Sequence, residues 1–253
     1  MESSVKDNIS FVLVGPTEPG NIGAAARAIK NMGFRKLELV APVPYLTDEA
    51  KAMACQAKDV LERAKVYRRL RPAIAGKSLI AGTTRRLGSR RGMIMDVRRA
   101  APRIVEAASS NQVAVLFGNE HCGLTNRELD ECGLVLTIPS NPAFPSLNLS
   151  QSVMIVAYEL SRSGARDKTP LLETNREIQR LFRRIPKTLK SLGYFRTGDK
   201  DLPAEITRHL RKLIGRSGLT EWELNMLLGL CTQADKKLRE KSPSSGSKKA
   251  RRY

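Results

Sequence analysis

The sequence predicts an α/β domain built on a largely parallel sheet, with a helical extension after it. Three observations carry this. Between residues 9 and 160, short apolar runs alternate with stretches of helical period, the order of a wound α/β sheet. The runs 113–117 and 134–138 are continuously apolar and rich in branched residues, as strands buried on both faces are. From residue 170 to 240, apolar residues recur at three- and four-residue spacings, which is helical.

The elements follow in order. Residues 9–14 form a first strand ending in Gly15-Pro16. A helix over 20–31 comes next, with Gly33 as its stop. Ile22, Ala26 and Ile29 share its sheet-facing side, and Arg27 points away from them, near Gly20, Gly23 and Asn31. Residues 37–40 read as the second strand, 48–70 as helical, 79–81 as a third strand ending in Gly82-Thr83-Thr84, and 97–108 as helical. After the run at 113–117 come a glycine-bearing loop, a short helix, the run at 134–138 and a Pro/Asn loop. A helix over 146–160 follows, with Ser146 as N-cap and Leu149, Val153, Val156 and Leu160 on one face. Two strand ends and a helix start thus point at one place, where an open parallel sheet keeps its ligand site. The chain divides into a main domain over 1–165, a helical bundle over 166–240 and a disordered basic tail over 241–253. The bundle is expected to lean on the main domain or on a second subunit.

A formal charge of +19 points to a polyanionic partner, most simply nucleic acid. The charge is uneven: residues 61–103 hold 13 Lys/Arg against Glu62 and Asp96 alone. Within that stretch the segment TRRLGSRRGMIMDVRRAAPR follows a strand end and carries seven arginines. Guanidinium forks match phosphate oxygens, so Arg86, Arg90 and Arg91 are expected to contact RNA. No secretory signal and no membrane span is read, and the four cysteines lack metal-ligand spacing, so free thiols in the cytoplasm are expected. His121 and His209 make no metal set.

Three motifs bear on chemistry. The Gly20–Arg27 helix start lacks the dinucleotide fingerprint, and no acid ends the second strand to hold a ribose. Its free amides and outward arginine suit a phosphate; a close-packed glycine-rich helix start is the competing explanation. In Gly118-Asn119-Glu120-His121-Cys122-Gly123-Leu124, the glycines let backbone approach a ligand and Glu120 can accept a hydrogen bond from it. Pro145-Ser146-Leu147-Asn148 is the third, where helix capping explains Ser146 equally well.

Taken together, G-N-I-G-A-A-A-R-A-x-K-N-x-G, F-G-x-E-x-x-G-L-T-N-x-E-L and I-P-x-N-P-x-x-x-S-L-N-L-S resemble the TrmH-like ribose methyltransferases of the SPOUT superfamily. The extension, with E-W-E-L-N-M-L-L-G-L, resembles the TrmJ subgroup, which methylates tRNA at nucleotide 32 of the anticodon loop. The resemblance implies S-adenosyl-L-methionine as methyl donor, no metal, a homodimer, and a C-terminal trefoil knot that general folding rules would not propose. It places the donor against Thr83, Thr84, Arg85, Gly118, Ile138, Pro145, Ser146 and Leu147. It marks Asn21, Arg27, Glu120, Ser146 and Asn148 as catalytic positions. One departure stands out: such enzymes usually carry Arg where this chain has Asn119. The family account makes the equivalent of Arg27 the base. A guanidinium stays protonated in proteins, so a clamp on the target phosphate that also stabilises oxyanion charge, oriented by Asn21, is the physically simpler role. Methylation of another RNA such as rRNA, or a non-catalytic RNA-binding module of the same fold, are the other readings.

Overall fold

The computed structural model describes residues 3–86, 94–164, 169–194 and 201–241. The apolar runs become a seven-stranded sheet, β1 (Ile9–Val14), β2 (Lys36–Val40), β3 (Lys65–Tyr67), β4 (Leu79–Thr83), β5 (Ile94–Asp96), β6 (Val113–Phe117) and β7 (Leu134–Thr137). Its order is β3-β2-β1-β6-β4-β7-β5, and every pairing is parallel. The chain winds outward from β1 to β3, then returns to build the other half. The ends of β1, β6, β4 and β7 therefore lie side by side, which is where the site forms.

Helices α1 (Ser3–Asp7), α2 (Pro19–Asn31), α3 (Asp48–Ala54), α4 (Lys58–Glu62), α5 (Leu70–Ile74), α6 (Val97–Ala107), α7 (Asn126–Asp130) and α8 (Leu149–Arg162) complete the domain. Every residue of β1 and β6 is buried, and all but Ser10 are apolar, as strands covered on both faces require. One face of the sheet packs Phe11, Leu13 and Phe117 against Ile22, Ile29, Ile104, Val153 and Val156 of α2, α6 and α8. Phe11 meets Phe34 edge-on at 5.2 Å and stacks over Phe117 at 6.3 Å. The other face buries Val12, Val40, Ile74, Ile80, Leu116, Leu124 and Leu129. Ser10 and Glu38 interrupt that apolar face for a reason: the Lys77 ammonium donates to Ser10 Oγ at 2.6 Å and to Glu38 Oε1 at 2.7 Å, all three residues buried. The pair ties the approach to β4 onto β1 and β2.

The structure corrects two expectations, the helical reading of 48–70 and the start of the last helix, and adds two details. Residues 48–70 are not one helix: a 3-10 turn (Cys55–Ala57) separates α3 from α4, and β3 follows. Cys55 there has φ 52°, a conformation no continuous helix allows. The three-residue strands β3 and β5 are sheet edges, too short for a period of two to show. The last helix of the domain starts at Leu149, and Asn148 caps it, accepting from the N–H of Ser150 at 2.8 Å and of Gln151 at 3.4 Å. Ser146 lies two residues outside and is free for the site. Finally, of the two explanations for the glycine-rich start of α2, close packing holds at Gly23, where a Cβ would sit 2.0 Å from the Ala50 carbonyl oxygen of α3.

The extension forms α9 (Asn175–Ser191), α10 (Leu202–Ser217) and α11 (Glu221–Lys241) around Ile178, Leu181, Phe182, Ile185, Ile214 and Leu224. Leu210, Leu227 and Leu228 pack against this core, whereas Leu213 is exposed. The bundle docks on its own chain. Asn175 and Arg176 donate backbone N–H groups to the carbonyls of Lys77 and Ala75, and Glu131 takes ion pairs from Arg71 and Arg211. At the seam Gly133 faces Gly215 so closely that a Cβ on Gly133 would lie 1.9 Å from the Gly215 oxygen. Gly215→Ala is expected to overpack this seam and lower stability by about 1–3 kcal/mol, measured by urea unfolding. The tail residues 242–253 and the linker residues 165–168 lie outside the described residues. So do residues 87–93 of the β4–β5 connection.

Candidate active site

Each strand end contributes one wall. After β6, Gly118 lets the chain pass against the returning loop: a Cβ there would lie 1.9 Å from the carbonyl carbon of Gly123. Asn119 then folds the loop on itself, its Oδ1 accepting from the N–H of His121 at 3.1 Å and of Cys122 at 2.8 Å. Gly123 turns at φ 65° and donates back to the Asn119 carbonyl at 2.9 Å. Leu124 buries its side chain beneath, and Thr125 opens α7 with a full capping box. After β4, the Thr83 hydroxyl donates to the Leu116 carbonyl and the Thr84 N–H to that of Leu136, so this loop follows its neighbours. After β7, the Ser140 hydroxyl donates to the Pro145 carbonyl at 3.2 Å and closes the Pro/Asn loop.

These loops enclose one cleft. Thr83, Thr84, Arg85, Gly118, Ile138, Pro145, Ser146 and Leu147, the eight residues expected around the donor, all line it, together with Asn119, Glu120, Cys122 and Leu149. Arg86 lines it too, its guanidinium donating to the Cys122 carbonyl at 2.9 Å across the mouth. Arg90 and Arg91 lie outside the described residues.

The positions marked as catalytic divide into two groups. Asn148, Asn21 and Glu120 form a chain of hydrogen bonds joining all three motifs. The Asn148 amide donates to Asn21 Oδ1 at 2.8 Å, and the Asn21 amide donates to Glu120 Oε1 at 3.0 Å. Glu120 Oε2 accepts from the N–H of Thr17 at 2.9 Å and from its hydroxyl at 2.8 Å. Burial pushes the Glu120 carboxyl up, but the donors from Thr17, Asn21 and its own backbone together outweigh it, and the group sits below the ordinary carboxylate range. A carboxylate so occupied holds loops in place. Thr17, with no motif signal beyond its proximity to Gly15-Pro16, was not read from the sequence. Ser146 faces the cleft. Arg27 does not line it; exposed on α2, its guanidinium donates to Cys55 Sγ at 3.4 Å.

Among the described residues no cluster of His, Cys, Asp and Glu could hold a metal ion, and no helix is long and apolar enough to cross a membrane. His121 and Cys122 are both exposed, and the Cys122 thiol donates to Asn119 Oδ1 at 3.2 Å.

A parallel sheet with this loop cleft at its strand ends belongs to a known class. The chain is a member of the SpoU rRNA methylase family, which matches residues 8–158. Similarity to particular proteins runs further, through the extension. The tRNA (cytidine/uridine/adenosine-2'-O-)-methyltransferase TrmJ of Pseudomonas aeruginosa is 37% identical over 246 residues, 91% of this chain and 95% of that one. The tRNA (cytidine/uridine-2'-O-)-methyltransferase TrmJ of Yersinia pestis is 34% identical, covering 95% of each. Among solved structures, TrmJ from Z. mobilis ZM4 is 32% identical with a TM-score of 0.76, over 89% of this chain and 98% of that one.

Proposed function

We propose that the chain transfers a methyl group from S-adenosyl-L-methionine to a ribose 2′-hydroxyl of tRNA, at nucleotide 32 of the anticodon loop, as a cytoplasmic homodimer. The observation that carries this is one cleft lined by all eight expected donor residues, with the three motifs bonded together behind it.

The cleft fits the donor. Gly118 lets the loop after β6 fold tightly at the edge of the cleft, Ile138, Leu147 and Leu149 offer apolar walls, and the loop backbones offer donors and acceptors. When bound, the donor supplies an electrophilic sulfonium methyl, so the chain's own work is mostly positioning. Asn148, Asn21 and Glu120 hold the start of α8, the start of α2 and the loop after β6 in one arrangement, and Ser146 faces the substrate side. Arg27 clamps the target phosphate and stabilises charge developing on the ribose oxygen. Because Arg27 does not line its own chain's cleft, the two-fold partner completes the site: the Arg27 face of one protomer meets the cleft of its partner.

Arg90 and Arg91 contact the RNA backbone. Replacing both with serine is expected to lower the slope of log affinity for tRNA against log salt by about 1.5–2, with donor binding unchanged. An unchanged slope would remove both from the interface.

The activity is tested with tritiated S-adenosyl-L-methionine and tRNA lacking ribose methylation, followed by mapping of the labelled nucleotide. Label on the ribose of nucleotide 32 is expected. Label in ribosomal RNA alone would favour the second reading, to which the family's description points. No transfer to either RNA would leave a binding module.

A further inference from the structure

Arg27 has a long, exposed side chain, and a group that must meet a phosphate at a fixed place needs something to aim it. We infer that residues 55–59, the 3-10 turn after α3 and the first residues of α4, are that device, with Cys55 as the positioning residue; this rests on the role proposed for Arg27.

Three contacts join the turn to the outward face of α2. Arg27 Nη1 donates to Cys55 Sγ at 3.4 Å. One turn further along the helix, Lys30 Nζ donates to the Gln56 carbonyl at 2.8 Å and to Asp59 Oδ1 at 2.6 Å. The bond to Lys30 holds the Asp59 carboxyl below its ordinary range. The thiol's own proton goes to the Ala52 carbonyl at 3.3 Å, which turns the sulfur lone pairs toward the guanidinium. The turn cannot drift from α2, because Gly23 and Ala50 are in backbone contact just before it.

The backbone at Cys55 is the second line of argument. At φ 52°, ψ −119° it occupies a region that suits glycine, yet the residue carries a side chain. Glycine would relieve the backbone there and leave Arg27 without its acceptor. The side chain is therefore kept against local preference, and its sulfur touches the one arginine of α2.

The test compares Cys55→Gly and Cys55→Ser in single-turnover methyl transfer, with donor binding and Tm measured alongside. Cys55→Gly is expected to keep or raise Tm, leave donor affinity unchanged and slow transfer about five- to tenfold, the scale of one lost hydrogen bond. Cys55→Ser retains an acceptor and should stay within about twofold of the wild type. In an Arg27→Ala background, Cys55→Gly should slow transfer no further, because the two act as one unit. Wild-type transfer by Cys55→Gly, or equal losses in Cys55→Gly and Cys55→Ser, would overturn the assignment of the turn while leaving Arg27 in its role. Full transfer by Arg27→Ala alone would overturn the reading of Arg27 itself, and the turn's role with it.

Discussion

Replacing Arg27 with alanine is expected to slow methyl transfer by about 10²–10³-fold, the usual cost of removing one charge-stabilising donor from a reacting oxygen. Donor affinity without RNA should stay within about twofold of the wild type. The separation follows from geometry: Arg27 lies on the exposed face of α2 against Cys55, and the cleft is lined by the loops after β4, β6 and β7. Arg27→Lys divides the role further. Lysine keeps the positive charge but loses the planar fork, so substantial retained transfer would assign the effect to charge, and near-complete loss to bidentate grip on the phosphate. Donor binding that vanished with Arg27→Ala would place the arginine in the cofactor's own contacts and refute the division.

Gly118→Ala is expected to do the reverse, weakening donor binding by more than about 100-fold. A methyl group at Gly118 would meet the Gly123 carbonyl carbon at 1.9 Å and the Leu124 nitrogen at 2.0 Å, and backbone cannot step aside as a flexible side chain can. The loop would have to open, and Asn119, Glu120 and Cys122 would move with it. Glu120 is the link to Asn21 and Asn148, so the shift would reach all three motifs. Much of the core lies elsewhere, so the protein should still fold, with a stability loss of about 1–3 kcal/mol. Overpacking of a functional loop acts first on the ligand.

The strands and the cleft were legible for one physical reason. Runs such as Val113–Phe117 are apolar at every position because both faces are covered, and strands of that kind end in loops that share one edge. Position alone therefore brought the three motifs together. What could not be read were facts about which partner satisfies which group. Asn148 and Ser146 both cap helices well, and only the folded loop decides that Asn148 caps α8 while Ser146 faces the cleft. Gly20 and Gly23 suggest an open phosphate site equally well as close packing, and α3 settles it for Gly23. Glu120 reads as an acceptor for a ligand's hydrogen bond, yet its oxygens are taken by Thr17 and Asn21. β3 and β5 were illegible because three residues such as Lys65-Val66-Tyr67 at a sheet edge carry no pattern of their own. The bundle's core was legible from helical spacing, but its seam rests on Gly133 and Gly215, which have no side chain to show a period.

The most direct test is calorimetric titration of S-adenosyl-L-methionine into Gly118→Ala and Arg27→Ala side by side, without RNA. Arg27→Ala should bind like the wild type, and Gly118→Ala should show no heat at concentrations that saturate the others. Wild-type binding by a folded Gly118→Ala would mean that the cleft at the ends of β4, β6 and β7 is not where the methyl donor sits.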